Sequence, residues 1–205
     1  SESTPDEEPT EEEVVDLKAI AKRLKIKNFK QAKYEYGTTA ISMVWSTNDY
    51  ADGYFVYRAD VKNGSYKKVG TVTDNYFRQG GLKAGSKYYY KVSAYKIIDG
   101  EKVSGPFSQA IRMITKPEAP QNVKVENAGK SAIRIRWKKA GTTNGYTIYM
   151  ATSRNGSYTE LKTVDSLRTS YTKTGLKKGK KYYLKMRSYR LDESNEKVYS
   201  GYSKI

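Results

Sequence analysis

Strict alternation of apolar and polar residues, in two stretches that are copies of each other, leaves this chain few folds to choose from. Ile133, Ile135 and Trp137 alternate with Arg134 and Arg136, and Ile41, Met43 and Trp45 alternate with Ser42 and Val44. A period of two is that of a strand with one face in a core and the other in water. The copying extends well beyond these strands. "GYFVY" at Gly53 answers "GYTIY" at Gly145, and "NGSY" occurs at both Asn63 and Asn155. "GLKAGSKYYYKVSAY" from Gly81 answers "GLKKGKKYYLKMRSY" from Gly175, and "SGPFS" at Ser104 answers "SGYS" at Ser200. A unit of about 90 residues is too long for a solenoid repeat and long enough to bury its own core, so two copies mean two domains. We divide the chain into 1–25, 26–115 and 116–205. The seam "TKPEAP", Thr115 to Pro120, carries two prolines, which favour an extended, stiff link and domains set end to end.

The leading segment reads differently. Residues 1–13 hold Glu2, Asp6, Glu7, Glu8, Glu11, Glu12 and Glu13 with no base and no apolar residue, the composition of a solvated, disordered tether. The rest is therefore more basic than the net charge of +16 suggests. Thr10 and Glu13 have capping-box spacing, Leu17, Ile20, Ala21 and Leu24 recur at helical intervals, and Lys22 and Arg23 suit a C-terminus. This predicts a short helix over about 11–24. No apolar run approaches the ~20 residues that span a bilayer.

The chain has neither Cys nor His, which removes thiol nucleophiles, imidazole bases and thiolate or imidazole metal sites. Of the remaining acids, Asp49 and Asp52 share one loop and Asp192, Glu193 and Glu196 cluster in another. Neither loop has the dense alternation of a calcium loop, so both read as solvated turns, with no metal and no cofactor. Scattered acids do not make the converging pair of a glycosidase either. The chain is expected to be non-enzymatic. "NGS" satisfies the glycosylation sequon twice, but Asn-Gly between strand-like runs is better explained as a tight hairpin turn using positive φ.

Short strands at regular spacing with turn signals predict an all-β chain of two β-sandwiches. An early Trp in each copy, the "GY" strand, and Leu82-x-x-Gly85-x-x-Tyr88 with Leu176-x-x-Gly179-x-x-Tyr182 resemble fibronectin type III domains, an immunoglobulin-like fold. The resemblance implies that Tyr88 and Tyr182 sit at a strand corner with their hydroxyls bonded to nearby backbone. It departs from the family pattern where a frequent Pro is replaced by Ala84 and Lys178. The Lys- and Tyr-rich flavour of "GYFVYRADVKNGSYKKVGTV" is similar to modules on surface proteins of Gram-positive bacteria, which implies an extracellular, envelope-associated place, lipid- or wall-anchored.

One surface stands out. If Tyr88, Tyr90, Val92 and Ala94 point inward, Tyr89, Lys91, Ser93 and Tyr95 point outward. The same parity puts Tyr183, Lys185, Arg187 and Tyr189 outward in the second copy, with Tyr57 and Tyr149 beside them on the neighbouring strand. Tyr with Lys or Arg is the composition of recognition surfaces, although Tyr is also simply a good strand former. Three readings follow. The chain is a spacer and adhesion-type interaction module meeting anionic wall polymers, or a module binding a glycan or protein on the Tyr/Lys faces, or a nucleic-acid binder. Dispersed Lys and Arg and an acidic tether count against the last. A monomer is expected.

Overall fold

The computed structural model describes residues 16–204, apart from the side chain of Tyr34. The acidic segment and the Thr10/Glu13 spacing lie outside the described residues. Helix α1 spans Leu17–Arg23, and its cap is Asp16, whose carboxylate accepts from the Lys18 and Ala19 amides. Leu24, just past the helix, is fully buried in the first core.

Strands β1 (Lys30–Gln31), β2 (Ile41–Val44) and β5 (Tyr76–Gln79) form one sheet of the first unit in the order β1-β2-β5. Opposite lie β4 (Lys67–Val72), β3 (Gly53–Ala59), β6 (Lys87–Ile98) and β7 (Glu101–Ser104) in that order, with β8 (Ile111–Ile114) also on β6. The second unit repeats the plan. One sheet runs β13 (Ser170–Lys173), β10 (Ile133–Lys138), β9 (Gln121–Asn127), and the other β12 (Thr159–Asp165), β11 (Gly145–Ala151), β14 (Tyr183–Leu191), β15 (Lys197–Tyr199). The chain is thus two tandem immunoglobulin-like β-sandwiches with one short helix.

The parity rule builds both cores. Ile41, Met43 and Trp45 from one sheet meet Tyr54, Val56, Tyr90 and Val92 from the other. In the second unit Ile135 and Trp137 meet Tyr146, Ile148, Leu184 and Met186. Each indole is buried and sits edge-on or tilted to a tyrosine, Trp45 at 5.2 Å from Tyr54 and Trp137 at 5.3 Å from Tyr146. The outward partners behave as charged sheet surface: Arg136 Nε donates to Glu126 at 2.8 Å and Arg134 Nε to Thr172 Oγ1 at 3.2 Å.

The Asn-Gly turns differ from expectation. Neither Asn63 nor Gly64, nor Asn155 nor Gly156, has positive φ. Each lies in a longer loop between paired strands, where the Gly64 amide donates to the Val61 carbonyl at 3.0 Å and Gly156 to Ser153 at 3.2 Å. Glycine is used as the last residue of a four-residue turn, because a Cβ on Gly64 would stand 2.7 Å from Val61 Cγ2. Tyr66 and Tyr158 close the loops, their hydroxyls donating to the Lys62 and Arg154 carbonyls four residues back.

Candidate interaction surface

The outer face of each β3-β6 or β11-β14 sheet carries the nine residues singled out by sequence. Cross-strand register places Tyr57 opposite Lys91 and Tyr149 opposite Lys185. In both units a bulge shifts register against the edge strand just before this tyrosine, between Val56 and Tyr57 and between Ile148 and Tyr149. The lysines lie on rings. Lys91 Nζ is 4.3 Å from the Tyr66 centroid and 6.0 Å from Phe107, and Lys185 Nζ is 4.3 Å from Tyr158 and 4.0 Å from Tyr202. Phe107 meets Tyr57 edge-on at 5.0 Å, and Tyr202 meets Tyr149 likewise at 5.5 Å. The ladder is thus the same twice: a loop tyrosine, a lysine, a strand tyrosine and an aromatic from the last segment. Each cation–π contact contributes about 0.5–2 kcal/mol, more where water is excluded.

Where the copies diverge, volume is traded across one register pair. Phe55 opposes Ser93 in the first unit, and Thr147 opposes Arg187 in the second. Arg187 fills the space with its guanidinium, 3.6 Å from the Tyr199 centroid, while its Nε and Nη2 donate to Tyr149 Oη at 3.0 and 2.8 Å. Burial raises the Tyr149 phenol, and the guanidinium pulls in the opposite sense.

Two of the nine are not open to water as alternation implies. Tyr95 is only 4% exposed and Tyr149 9%. Tyr95 lies across the bare backbone of its register partner Gly53, where a Cβ would stand 2.5 Å from its hydroxyl, and stacks on Phe55 at 4.6 Å. Tyr149 is covered by Tyr202 and Arg187. Ser93 is buried too. Tyr57, Tyr89, Lys91, Tyr183, Lys185, Arg187 and Tyr189 are half-buried. Tyr189 leans on Gly145 and carries Lys197 at 4.9 Å. Alternation fixes the face a side chain takes but not what lies over it, so Tyr66, Phe107, Tyr158 and Tyr202 escaped notice; the "NGSY" and "SG" repeats were the signal that could have found them.

The acidic loops are not the solvated turns expected. Asp52 accepts from the Ile97 amide at 2.6 Å and from Lys96 Nζ at 2.7 Å, and these bonds, the amide's foremost, hold its carboxyl below the usual range. Asp192 is 5% exposed and accepts from the Ser194 and Glu196 amides. It sits at the junction of the two sandwiches, where Lys33 Nζ is 3.4 Å from Asp192 and 2.6 Å from Glu196. Arg112 of β8 donates to the Leu191 carbonyl at 3.3 Å and to the Asp192 carbonyl, with Glu193 3.4 Å from its Nε. Burial pushes the neighbouring Tyr36 phenol up to about 12. Beside these contacts is a cleft of about 760 Å³, lined by Lys33, Glu35, Tyr36, Tyr76, Arg112 and Glu193 among others. The link is strapped on both sides: the Lys116 amide donates to Gly37, the Gly85 amide to Lys116, and Ser188 Oγ to the Glu118 carbonyl. Among the described residues no group of three or more acids is placed to hold a metal.

The corner tyrosines complete the picture. Tyr88 Oη accepts from the Lys83 amide at 3.0 Å and Tyr182 Oη from Lys177 at 3.2 Å, each five residues back. Residues 118–199 match the family described as Fibronectin type III domain. A receptor-type tyrosine-protein phosphatase eta from Gallus gallus is 33% identical over 150 residues, covering 73% of this chain and 10% of that protein. An amylopullulanase from Thermoanaerobacterium saccharolyticum is 35% identical over 66 residues, 32% of this chain and 5% of that protein. The chain therefore spans a tenth or less of these relatives' length. Among solved structures, a two-domain fibronectin type III segment of chicken tenascin is 18% identical with a TM-score of 0.49, over 88% of this chain and 99% of that one. The FN1–FN3 domains of chicken CNTN1 give 18% and 0.43, over 87% and 64%. No helix among the described residues is long and apolar enough to cross a membrane.

Proposed function

We propose that this chain is a non-enzymatic pair of fibronectin type III modules, 26–115 and 116–205, serving as a semi-rigid spacer and interaction module outside the cell, on the envelope of a Gram-positive bacterium. Fibronectin type III domains generally act as interaction or spacer modules. The bacterial placement rests on the likeness of the Lys- and Tyr-rich strands to surface modules of such organisms. The observation that carries the spacer reading is the polar clamp of Arg112 and Lys33 on Leu191, Asp192 and Glu196, since a stiff link sets the spacing of the units and contacts between them fix their angle. With no native Cys, spin labels can be placed at Lys62→Cys and Asn155→Cys alone. Electron–electron distance distributions should be narrow, and should broaden in Arg112→Ala combined with Lys33→Ala. An equally broad distribution in the unmutated chain would remove the spacer reading.

A second reading is favoured by one observation: both units expose an aromatic ring beside the ladder lysine at matching positions, Phe107 and Tyr202. Exposed rings over a basic sheet suit a glycan or protein ligand. Saturable binding on a glycan panel that survives 0.5 M salt and is lost in Tyr89→Ala, Tyr183→Ala and Phe107→Ala with Tyr202→Ala supports it. Binding that vanishes with salt alone reflects net charge only.

A further inference from the structure

The cleft at the junction of the two units, about 760 Å³, falls within the ~300–1,000 Å³ of small-molecule sites. Its first wall belongs to the first unit. Lys30, Val44 and Tyr76 stand in one register row across β1, β2 and β5, and the turn Lys33–Glu35 lies against that row through the bond from Tyr76 Oη to Glu35 Oε2 at 2.6 Å. Gln31 stiffens this wall. Its side-chain amide donates to the Ile114 carbonyl at 2.7 Å and accepts from the Ile114 amide at 3.0 Å, which ties one sheet of the sandwich to the other. The second wall is the loop 192–194 of the second unit, held by Arg112 through the Leu191 and Asp192 carbonyls.

The charges along the lining cancel, in a chain whose net charge is +16. Lys30, Lys33 and Arg112 stand against Glu35, Asp192 and Glu193. Most of them already have partners: Lys33 has Asp192 and Glu196, Arg112 has Glu193, and Asp192 has two loop amides. A charged ligand would bring a charge that nothing in the cleft balances, and desolvating it unpaired is costly. The remaining walls are apolar or aromatic, with Val44, Ile111, Tyr36 and Tyr76 foremost. The Tyr76 ring is fixed in place, its hydroxyl bonded to Glu35 and 3.1 Å from Ser42 Oγ, so a ligand meets it without the cost of ordering it. A pyranose matches this lining. Its C–H face packs on an aromatic ring, and its rim of hydroxyls both donates and accepts. Glu35 and Glu193 accept, and Lys33 Nζ, with three protons and two carboxylate partners among the described residues, has one to give.

We propose that the junction cleft binds a short neutral oligosaccharide, with one sugar ring on Tyr76 and hydroxyls reaching Glu35 and Lys33 of the first unit and Glu193 of the second. Because the groups come from both units, the site is complete only at the angle that the contacts of Arg112 and Lys33 set. Ligand and clamp therefore reinforce each other. The site is separate from the outer sheet faces that carry Tyr89 and Tyr183, and stands or falls independently of them.

The test titrates the 205-residue chain with maltotriose, cellotriose and triacetylchitotriose, following amide resonances. At least one of these sugars should shift the amides of both Tyr76 and Glu193 saturably, with the same Kd at about 0.05 and 0.5 M salt. Tyr76→Ala should weaken that binding at least tenfold. Glu193→Gln should weaken it at least threefold, and its side chain is 59% exposed, so a loss there does not come from unfolding. Tyr89→Ala combined with Tyr183→Ala should leave the Kd unchanged. Absence of saturable shifts with all three sugars, or shifts confined to one unit, would overturn the proposal. Binding kept in Tyr76→Ala but lost in the Tyr89 and Tyr183 double variant would overturn it too, while leaving the outer-face reading standing. Displacement of the sugar by a lower concentration of the neutral, end-capped peptide Gly-Tyr-Gly would make this a peptide site and overturn the ligand class.

Discussion

Gly85 concentrates two demands in one residue. Its φ of +62° lies in the left-handed region, and a Cβ there would stand 2.0 Å from the Thr142 carbonyl of the second sandwich. Gly179, its counterpart, shares the conformation, with φ +76°, but has open space around it. The pair makes a controlled experiment. Gly85→Ala and Gly179→Ala should each lower stability by about 1–2 kcal/mol from backbone strain, measured by urea unfolding. Only Gly85→Ala should also broaden the distance between labels on the two units, because only there does the added methyl push the neighbour away. The motif containing both glycines is plain in the sequence. The contact that distinguishes them joins residues 57 positions apart in different sandwiches and leaves no local trace.

Among the elements, the β6–β7 end of the first unit depends on a single carboxylate. Asp52, just before β3, reaches across to the Ile97 amide and to Lys96, tying the entry of one strand to the far end of another. Its carboxyl is held low by those bonds. A carboxylate with a depressed folded pKa contributes stability that is present above its unfolded value, ~4, and lost as pH falls through the folded value. Asp52→Asn should therefore lower Tm at pH 7 and flatten its fall below about pH 4, measured by circular dichroism melts in matched salt. An unchanged slope would show that the acid-sensitive step lies elsewhere. The strand elements themselves were readable, since Ile133, Ile135 and Trp137 face the core as their spacing requires. Tyr95 and Tyr149 were assigned the right face and the wrong surroundings, because period two says nothing of glycine on the next strand or of an aromatic arriving from the last segment.

At the level of the whole molecule the two cores are unequal, although their sequences are alike. The first is sealed at one end by Leu24, which follows the helix and is fully buried, and by Phe29, edge-on to Trp45. Among the described residues the second unit has no helix beside its core. Burying a Leu side chain contributes about 1.5–3 kcal/mol, so the second unit should unfold first. Chain labelled with 5-fluorotryptophan gives two fluorine resonances, one per core. The Trp137 signal is expected to lose its native position several degrees below that of Trp45, and simultaneous loss would show that the junction couples the units into one cooperative block. Alternation, turn residues and the internal copy determined by themselves that each unit is two sheets around an indole, because side-chain direction along a strand is a local property. Only the tertiary structure decided that Asp192 is buried beneath Lys33 and Arg112 and that the lysines lie on rings, because each depends on segments meeting across the chain.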